Sequence, residues 1–240
     1  MSHMDVVAAG DLSLWDSDPF TVKRDGDKLF GRGTEDDQQG FVSSFLAVKA
    51  LQEEGVTPPY DIGLAIVADE EAGSTYGIDY VLNERPDLFK KEDLIIIPDA
   101  GDEEGIEIEI AEKSLLWVKF TVSGTQTHAS TPELGHNPNR ASAELLLKMD
   151  KLYSVFDKED DLYDNRKSTF EPTRKEENVP NINTIPGTDT FYLDCRILPF
   201  YAIDDVKKEI NTYVQEVEEK HGVDISVSYP QDNPAPPPTS

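Results

Sequence analysis

The chain has 240 residues, of which 48 are Asp or Glu and 22 are Lys or Arg, so its formal charge is −26. Such an acidic surface repels nucleic acid and anionic membranes and suits concentrated salt, so we expect neither partner and a halophilic source. The single cysteine, Cys195, excludes an internal disulfide bond. With no visible signal peptide or membrane span, this composition predicts a cytoplasmic protein of one large or two small domains.

A histidine and an aspartate stand two residues apart near the start of the chain. The run His3–Val7 predicts a short strand, in which His3 and Asp5 share one face. A histidine that ligates a metal usually has a carboxylate at its other ring nitrogen, so the pair suits a ligand and its orienter. Residues 1–4 also match a common cloning remnant, and this alternative stays open at this point.

A glycine-flanked turn precedes the first predicted helix. Residues 31–40 contain three glycines, and apolar residues at helical spacing predict a helix over residues 40–54. Asp36 and Asp37 stand near the start of that helix. Both are compatible with N-capping, which aspartate does well, and equally with a ligand role.

Three adjacent acids follow a mostly apolar run. Residues 61–68 predict a parallel strand covered on both faces, and Asp69, Glu70 and Glu71 come directly after it. Open α/β sheets carry their chemistry beyond the carboxyl ends of such strands. Because neighbouring carboxylates repel one another unless a cation lies among them, the stretch is either a solvated acidic loop or a metal site with a carboxylate base.

Two further strands are predicted before the middle of the chain. Residues 94–97 are entirely apolar, which is typical of a buried parallel strand, and Asp99 follows at the same edge as the three acids. Residues 106–111 alternate isoleucine with acidic residues, which predicts a strand with one exposed face.

The second half of the chain changes pattern. Its periodicities predict the order β-α-β-β-α-β of a ferredoxin-like unit, with an edge strand as its second strand. A proline-rich tail follows at residues 230–240 and predicts an extended linker. The predicted strands and helices are strand 115–123, helix 137–156, edge strand 168–174, strand 190–197, helix 203–221 and strand 223–229.

Taken in order, the motifs resemble one family of metallohydrolases. The resemblance is to aminoacylase, acetylornithine deacetylase, succinyl-diaminopimelate desuccinylase and carboxypeptidase G, and it covers nearly all of residues 3–200. Under it, His3 falls where the family has its first metal ligand. The motifs are His3–Val7, Gly31–Asp36, Asp69–Ser74, Pro98–Gly101, Gly124–Ser130, Asn183–Gly187 and Asp194–Pro199.

The resemblance implies a set of metal ligands for two divalent ions, zinc in the first place or cobalt. His3 and Asp99 would hold one ion, Asp36 would bridge both, and Glu71 would hold the other. Asp5 would orient His3. Imidazole and carboxylate groups are suitable zinc ligands.

The resemblance also implies the residues that act on the substrate. Glu70 would be the general base that moves a proton from a water held between the metals to the leaving amine. His128 would reach the substrate carbonyl, with Asn183 and Arg196 as further substrate contacts. The two-pronged guanidinium of Arg196 suits a substrate carboxylate.

The fold class implied is α/β in two parts. Residues 1–113 would form part of a zinc-peptidase-like catalytic domain, a mostly parallel sheet with helices on both faces. Residues 114–229 would form an inserted ferredoxin-like α+β lid, and residues 230–240 a linker back. We expect a homodimer through the lid, with His128 serving the partner's site.

The expected function is hydrolysis of an amide bond in N-acyl amino acids or short peptides by a metal-held bridging water. The alternative is a non-catalytic dimerising or scaffold protein that keeps the fold. A Ca²⁺-binding module is disfavoured because no EF-hand loop is present. Metal content separates the enzyme from the scaffold.

Departures from the family pattern limit the assignment. Ala8 stands where proline is usual and Gln38 where many members have lysine, so no subfamily is chosen. The family's last histidine ligand and its first strand and helix have no counterpart in the chain. We therefore expect a fragment that is inactive by itself and holds at most one metal tightly.

Overall fold

The computed structural model describes residues 1–101 and 105–239. Contacts within the chain divide it into two units, Met1–Glu109 and Ile110–Ser240. The main cluster of buried apolar side chains runs from Leu116 to Ile225 and so lies in the second unit. Among the described residues, no helix combines the length and apolar character that crossing a bilayer requires.

The described part of the first unit, residues 1–101 and 105–109, contains short strands and two α-helices. Single 3₁₀ turns occur at Leu12–Leu14 and Pro86–Leu88. The regular elements in chain order are β1 Ser2–His3, β2 Lys23–Asp25, β3 Lys28–Phe30, α1 Gln38–Glu53, β4 Ile66–Val67 and α2 Ile78–Glu84.

Strand pairing in the first unit brings the start of the chain to the acidic stretch. β1 pairs with β4 in parallel, with Ser2 opposite Ile66 and His3 opposite Val67. β2 and β3 form an antiparallel hairpin. Among the described residues, the predicted mostly parallel sheet is therefore represented by the two-residue pair β1–β4.

Two predicted strands of the first unit are wrong, and two others are much shorter than predicted. Of the predicted strand His3–Val7 only His3 is in a strand; of residues 61–68 only Ile66–Val67 are, and residues 61–64 are exposed instead of covered on both faces. Residues 94–97 are not a strand, and Leu94 and Ile96 are 88% and 67% exposed. Residues 106–111 are not a strand either, and Ile108 is 82% exposed. An apolar or alternating run supplies only a local preference, whereas a strand forms where a neighbouring segment completes its backbone ladder.

The second unit is richer in regular structure. One 3₁₀ turn occurs at Pro132–Leu134. Its elements are β5 Ser114–Ser123, β6 Thr127–His128, α3 Pro138–Met149, α4 Leu152–Val155, β7 Thr169–Lys175, β8 Thr184–Ile185, β9 Thr188–Ile197, α5 Ile203–His221 and β10 Asp224–Asn233.

An antiparallel four-stranded sheet with one covered face organises the second unit. Its strand order is β10-β5-β9-β7, and the main elements follow the order β-α-β-β-α-β that the sequence predicts. Helices α3 and α5 pack against each other, and the sheet's covered face carries alternate residues of β5 from Leu116 to Val122. Phe120 stacks on Phe191 of β9, with ring centroids 4.7 Å apart. The short pair β6–β8 lies outside this sheet.

Helix bounds in the second unit follow the sequence closely, with one exception. α5 has the predicted bounds and ends at Gly222, whose φ of 63° is the left-handed conformation that glycine adopts readily. The single helix predicted over residues 137–156 is wrong, because it is interrupted between α3 and α4. The Lys151 N–H bonds the carbonyl of Lys148, three residues back, which breaks the regular helical ladder.

Candidate metal centre

His3 is buried at the centre of a ring of carboxylates. Its pairing with β4 leaves the side chain 3% exposed. The His3 Nε2 atom lies 2.9 Å from Asp36 Oδ1, 3.6 Å from Asp99 Oδ1 and 4.0 Å from Glu70 Oε2. The end of β1, the turn before α1 and the segment after residue 97 thus supply one cluster.

The cluster fits a divalent metal ion. One ligand atom from each of His3, Asp36 and Asp99 can be chosen so that all lie within 4.8 Å of one another. One imidazole with two carboxylates is a donor set that zinc accepts. Glu71 is outside this group, but its Oε1 atom is buried and has no hydrogen-bond partner, which suits an oxygen reserved for a cation.

Asp5 braces the acidic stretch as well as the histidine. Its two carboxylate oxygens accept the backbone N–H groups of Glu70 at 3.2 Å and Glu71 at 3.1 Å. His3 Nδ1 lies 3.1 Å from the Asp5 main-chain carbonyl oxygen and 3.5 Å from its Oδ1. Asp5 therefore contacts both the ring nitrogen remote from the cluster and the backbone that carries Glu70 and Glu71.

The electrostatics of the cluster favour a cation. Burial lowers the pKa of His3, but the carboxylates around it, above all Asp99 and Glu70, raise that pKa beyond its ordinary value. Burial raises the pKa of Glu70, Glu71 and Asp99, and neighbouring carboxylates raise each further although His3 opposes them. Crowded like charges favour protonation, and a divalent cation relieves the same repulsion.

Two of the predicted substrate-binding residues lie together in the second unit. His128 and Asn183 meet at the pair β6–β8, with His128 Nε2 3.4 Å from Asn183 Nδ2. The backbone N–H of Ser130 donates to His128 Nδ1 at 3.2 Å. The Ser130 hydroxyl oxygen also lies 2.7 Å from Nδ1, so both ring nitrogens of His128 have polar neighbours.

The third predicted substrate-binding residue, Arg196, is already paired. On β9 its Nε and one terminal nitrogen donate to the carboxylate of Asp194 at 2.9 and 3.3 Å. The indole of Trp117 donates to the same carboxylate at 2.7 Å. The side chain of Arg196 is half exposed, so its remaining N–H groups are open to solvent.

Asp37 is a site residue whose position the sequence did not reveal. It precedes α1, but its side chain makes no capping hydrogen bond. Instead it is fully buried, and its Oδ2 accepts the backbone N–H of His3 at 3.0 Å. The sequence offered one indication of a site role, which is that Asp37 directly follows the predicted ligand Asp36. Its position before a helix is explained equally well by N-capping.

Comparison with known proteins identifies relatives over both units. Residues 110–222 match the M20 peptidase dimerisation domain family. The chain is 44% identical to a protein of Methanococcus maripaludis described as an uncharacterized metallohydrolase, over 95% of this chain and 56% of the relative. It is 26% identical to the succinyl-diaminopimelate desuccinylase of Rickettsia bellii, over 95% of this chain and 58% of the relative.

Solved structures share the fold at low sequence identity. Human carnosine dipeptidase 1 aligns with 98% of this chain and 61% of its own, with a TM-score of 0.72 and 19% identity. The aminopeptidase PepT of Bacillus cereus aligns with 98% of this chain and 57% of its own, with a TM-score of 0.61 and 18% identity. The chain spans little more than half the length of the curated relatives it matches.

Proposed function

The chain resembles the M20 metallopeptidases over most of its length, as its motifs predicted, and on that premise we propose that it is a metal-dependent hydrolase of amide bonds. Its substrate would be an N-acyl amino acid or a short peptide. The observation that carries the proposal is the convergence of the His3 imidazole with the carboxylates of Asp36 and Asp99.

The ligand set proposed is His3, Asp36 and Asp99 for one divalent ion, with Asp36 shared and Glu71 on a second ion. Zinc is the ion that this nitrogen-and-oxygen donor set suits best, and cobalt is the alternative. When bound, such ions polarise the carbonyl of a scissile amide. The buried, unpartnered Oε1 of Glu71 supports the second position.

Glu70 is the proposed general base. Its side chain is 48% exposed, so water and substrate reach it, while its Oε2 stays 4.0 Å from His3 Nε2. Burial raises its pKa, which suits a group that must take a proton and then return it. Glu70 would accept the proton of the attacking water and deliver it to the amide nitrogen as the C–N bond breaks.

Residues of the second unit would bind the substrate. His128 would contact, through its ring nitrogen Nε2, the carbonyl oxygen that becomes negative during attack. Asn183 beside it adds an amide, and the free N–H groups of Arg196 suit a carboxylate. The match of residues 110–222 to a peptidase dimerisation domain supports a homodimer.

Exchange of Glu70 for glutamine tests the proposal. We would express the protein from its complete gene, load it with zinc, and measure amine release from N-acetyl and N-succinyl amino acids and dipeptides. Glu70→Gln should keep the metal content and lose on the order of 10² to 10⁴ in kcat, the usual contribution of general acid-base catalysis.

Glu84→Gln is the matched control, since Glu84 is an exposed residue at the end of α2 in the same unit. It should leave kcat unchanged. The proposal is contradicted if the metal-loaded protein hydrolyses none of the amides, or if Glu70→Gln turns over like the unaltered protein. Metal loss on substitution would instead place Glu70 among the ligands.

A further inference from the structure

The buried carboxylate of Asp37 is not used by the proposed chemistry. Asp37 has no exposed surface, its Oδ2 accepts the His3 backbone N–H at 3.0 Å, and its Oδ1 is buried without a hydrogen-bond partner. Burying a carboxylate with one unsatisfied oxygen costs free energy. Such an arrangement therefore calls for a compensating role.

Gly40 provides the space that Asp37 occupies. It is the third residue of α1 and is buried. A Cβ atom built there would overlap the Asp37 carboxylate and lie 2.5 Å from the carbonyl oxygen of Pro98. In an ordinary helix interior, alanine is more favourable than glycine by about 1 kcal/mol. Glycine at position 40 costs helix stability but lets Asp37 and Pro98 approach the helix backbone.

This contact joins the three segments that carry the metal ligands. Asp37 directly follows Asp36 and holds the backbone of His3, while Pro98 directly precedes Asp99. Asp37 and Pro98 meet at Gly40, and His3 is tied to them through its hydrogen bond to Asp37. Because Asp37 and Pro98 are the chain neighbours of Asp36 and Asp99, a shift of either at Gly40 would move a ligand.

We propose that Asp37 and Gly40 are positioning residues that hold His3, Asp36 and Asp99 in register to receive a metal ion. The inference rests on the proposed metal site. Asp37 acts by accepting the His3 N–H and by filling the space beside Gly40. Because Gly40 has no side chain, the Asp37 carboxylate and the Pro98 carbonyl can both approach it closely. Preorganised ligands bind a metal more tightly because less ordering is needed on binding.

An asparagine at position 37 separates this role from a purely electrostatic one. The Asp37→Asn side chain has the same shape and keeps an oxygen that accepts the His3 N–H, but it has no charge. Asp37→Ala removes both the acceptor and the charge. If Asp37 acts by position, asparagine rescues the site, and if it acts by attracting the cation, asparagine fails like alanine.

The experiment is a titration of the 240-residue chain with Co²⁺, followed by visible absorption and by calorimetry. Gly63→Ala is the glycine control, because a Cβ at Gly63 in the same unit meets nothing within 4 Å. We expect Asp37→Ala and Gly40→Ala to lose about 10- to 100-fold in affinity, the usual effect of altering groups that support metal ligands. Their cobalt spectra should also change.

Asp37→Asn should bind within about threefold of the unaltered chain and keep its spectrum, and Gly63→Ala should match that chain. The inference is overturned if Asp37→Ala and Gly40→Ala bind normally, or if Asp37→Asn fails as badly as Asp37→Ala. Far-UV circular dichroism checks that each variant folds. If Gly40→Ala does not fold, the affinities of Asp37→Ala and Asp37→Asn alone test the positioning role. If the unaltered chain binds no Co²⁺, the proposed metal site itself is contradicted, and the inference falls with it.

Discussion

Replacing Asp5 by alanine should weaken metal binding by roughly 30-fold. The substitution removes two hydrogen bonds, from the backbone N–H groups of Glu70 at 3.2 Å and Glu71 at 3.1 Å. Bonds to a charged acceptor contribute about 1.5–3 kcal/mol each, but the Asp5 side chain is 26% exposed, so water replaces part of that. Without these bonds, residues 70–71 must be ordered when the metal binds, and taking about 1 kcal/mol for each lost bond as that cost gives about 2 kcal/mol, which is about 30-fold in affinity.

The assay for this prediction is competition for Zn²⁺ or Co²⁺ between the chain and a chelating dye. Asp5→Asn keeps one oxygen acceptor of the two, so we expect it to lose about half of the free energy, or roughly fivefold in affinity. Asp61→Ala, an exposed aspartate of the same unit, should change nothing. An affinity of Asp5→Ala within twofold of the unaltered chain would refute the bracing role.

The second unit yields two predictions on stability. Phe191→Ala removes a fully buried ring stacked on Phe120 and should cost about 3–5 kcal/mol in the free energy of unfolding, measured with urea. Glu144 accepts from Lys220 and His221, and these contacts lower the pKa of its carboxyl to about 2 from an ordinary value of 4.5. The stabilisation is therefore present above pH 4.5 and lost as the pH falls towards 2. Glu144→Gln should accordingly be less stable than the unaltered chain above pH 4.5, and the difference between their free energies of unfolding should shrink as the pH falls from 4.5 towards 2.

Controls for both measurements come from the chain itself. A Trp15→Phe background leaves Trp117 of β5 as the one tryptophan, so its fluorescence follows the second unit. Leu147→Ala, whose side chain is 67% exposed on α3, should cost under about 0.5 kcal/mol. A loss below about 1 kcal/mol for Phe191→Ala, or a pH-independent difference for Glu144→Gln, would contradict these predictions.

The second unit could be predicted from the sequence because its patterns are both local and strong. Alternation along residues 115–123 matches a strand with one covered face, and α5 shows helical periodicity up to the left-handed Gly222. The break at Lys151 was not predictable, since buried side chains on both sides of it, Met149 and Leu152, keep an unbroken apolar pattern.

The first unit shows where such patterns fail. Its apolar run at residues 94–97 has the composition of a buried strand, but composition carries no information on pairing with a neighbouring segment. Strands β1 and β4 have only two residues each, too few to show a pattern in the sequence. Their parallel pairing is what places His3.

In the candidate site too, residues that belong to motifs could be predicted, whereas contacts between distant segments could not. Motifs indicated His3, Asp36 and Asp99, which the structure brings together. The brace from Asp37 to the His3 backbone is a contact between residues 34 positions apart, and it depends on how the segments fold. No local pattern encodes such a contact, and so Asp37 was interpreted only as a helix cap or a ligand.

The most direct test of the metal centre is a crystal structure of the zinc-soaked chain with anomalous data collected at the zinc edge. We predict an anomalous peak at about 2.0–2.2 Å from His3 Nε2 and from carboxylate oxygens of Asp36 and Asp99, and its loss in His3→Ala. A fully occupied zinc ion bound elsewhere, or no peak near His3 at saturating zinc, would contradict the account.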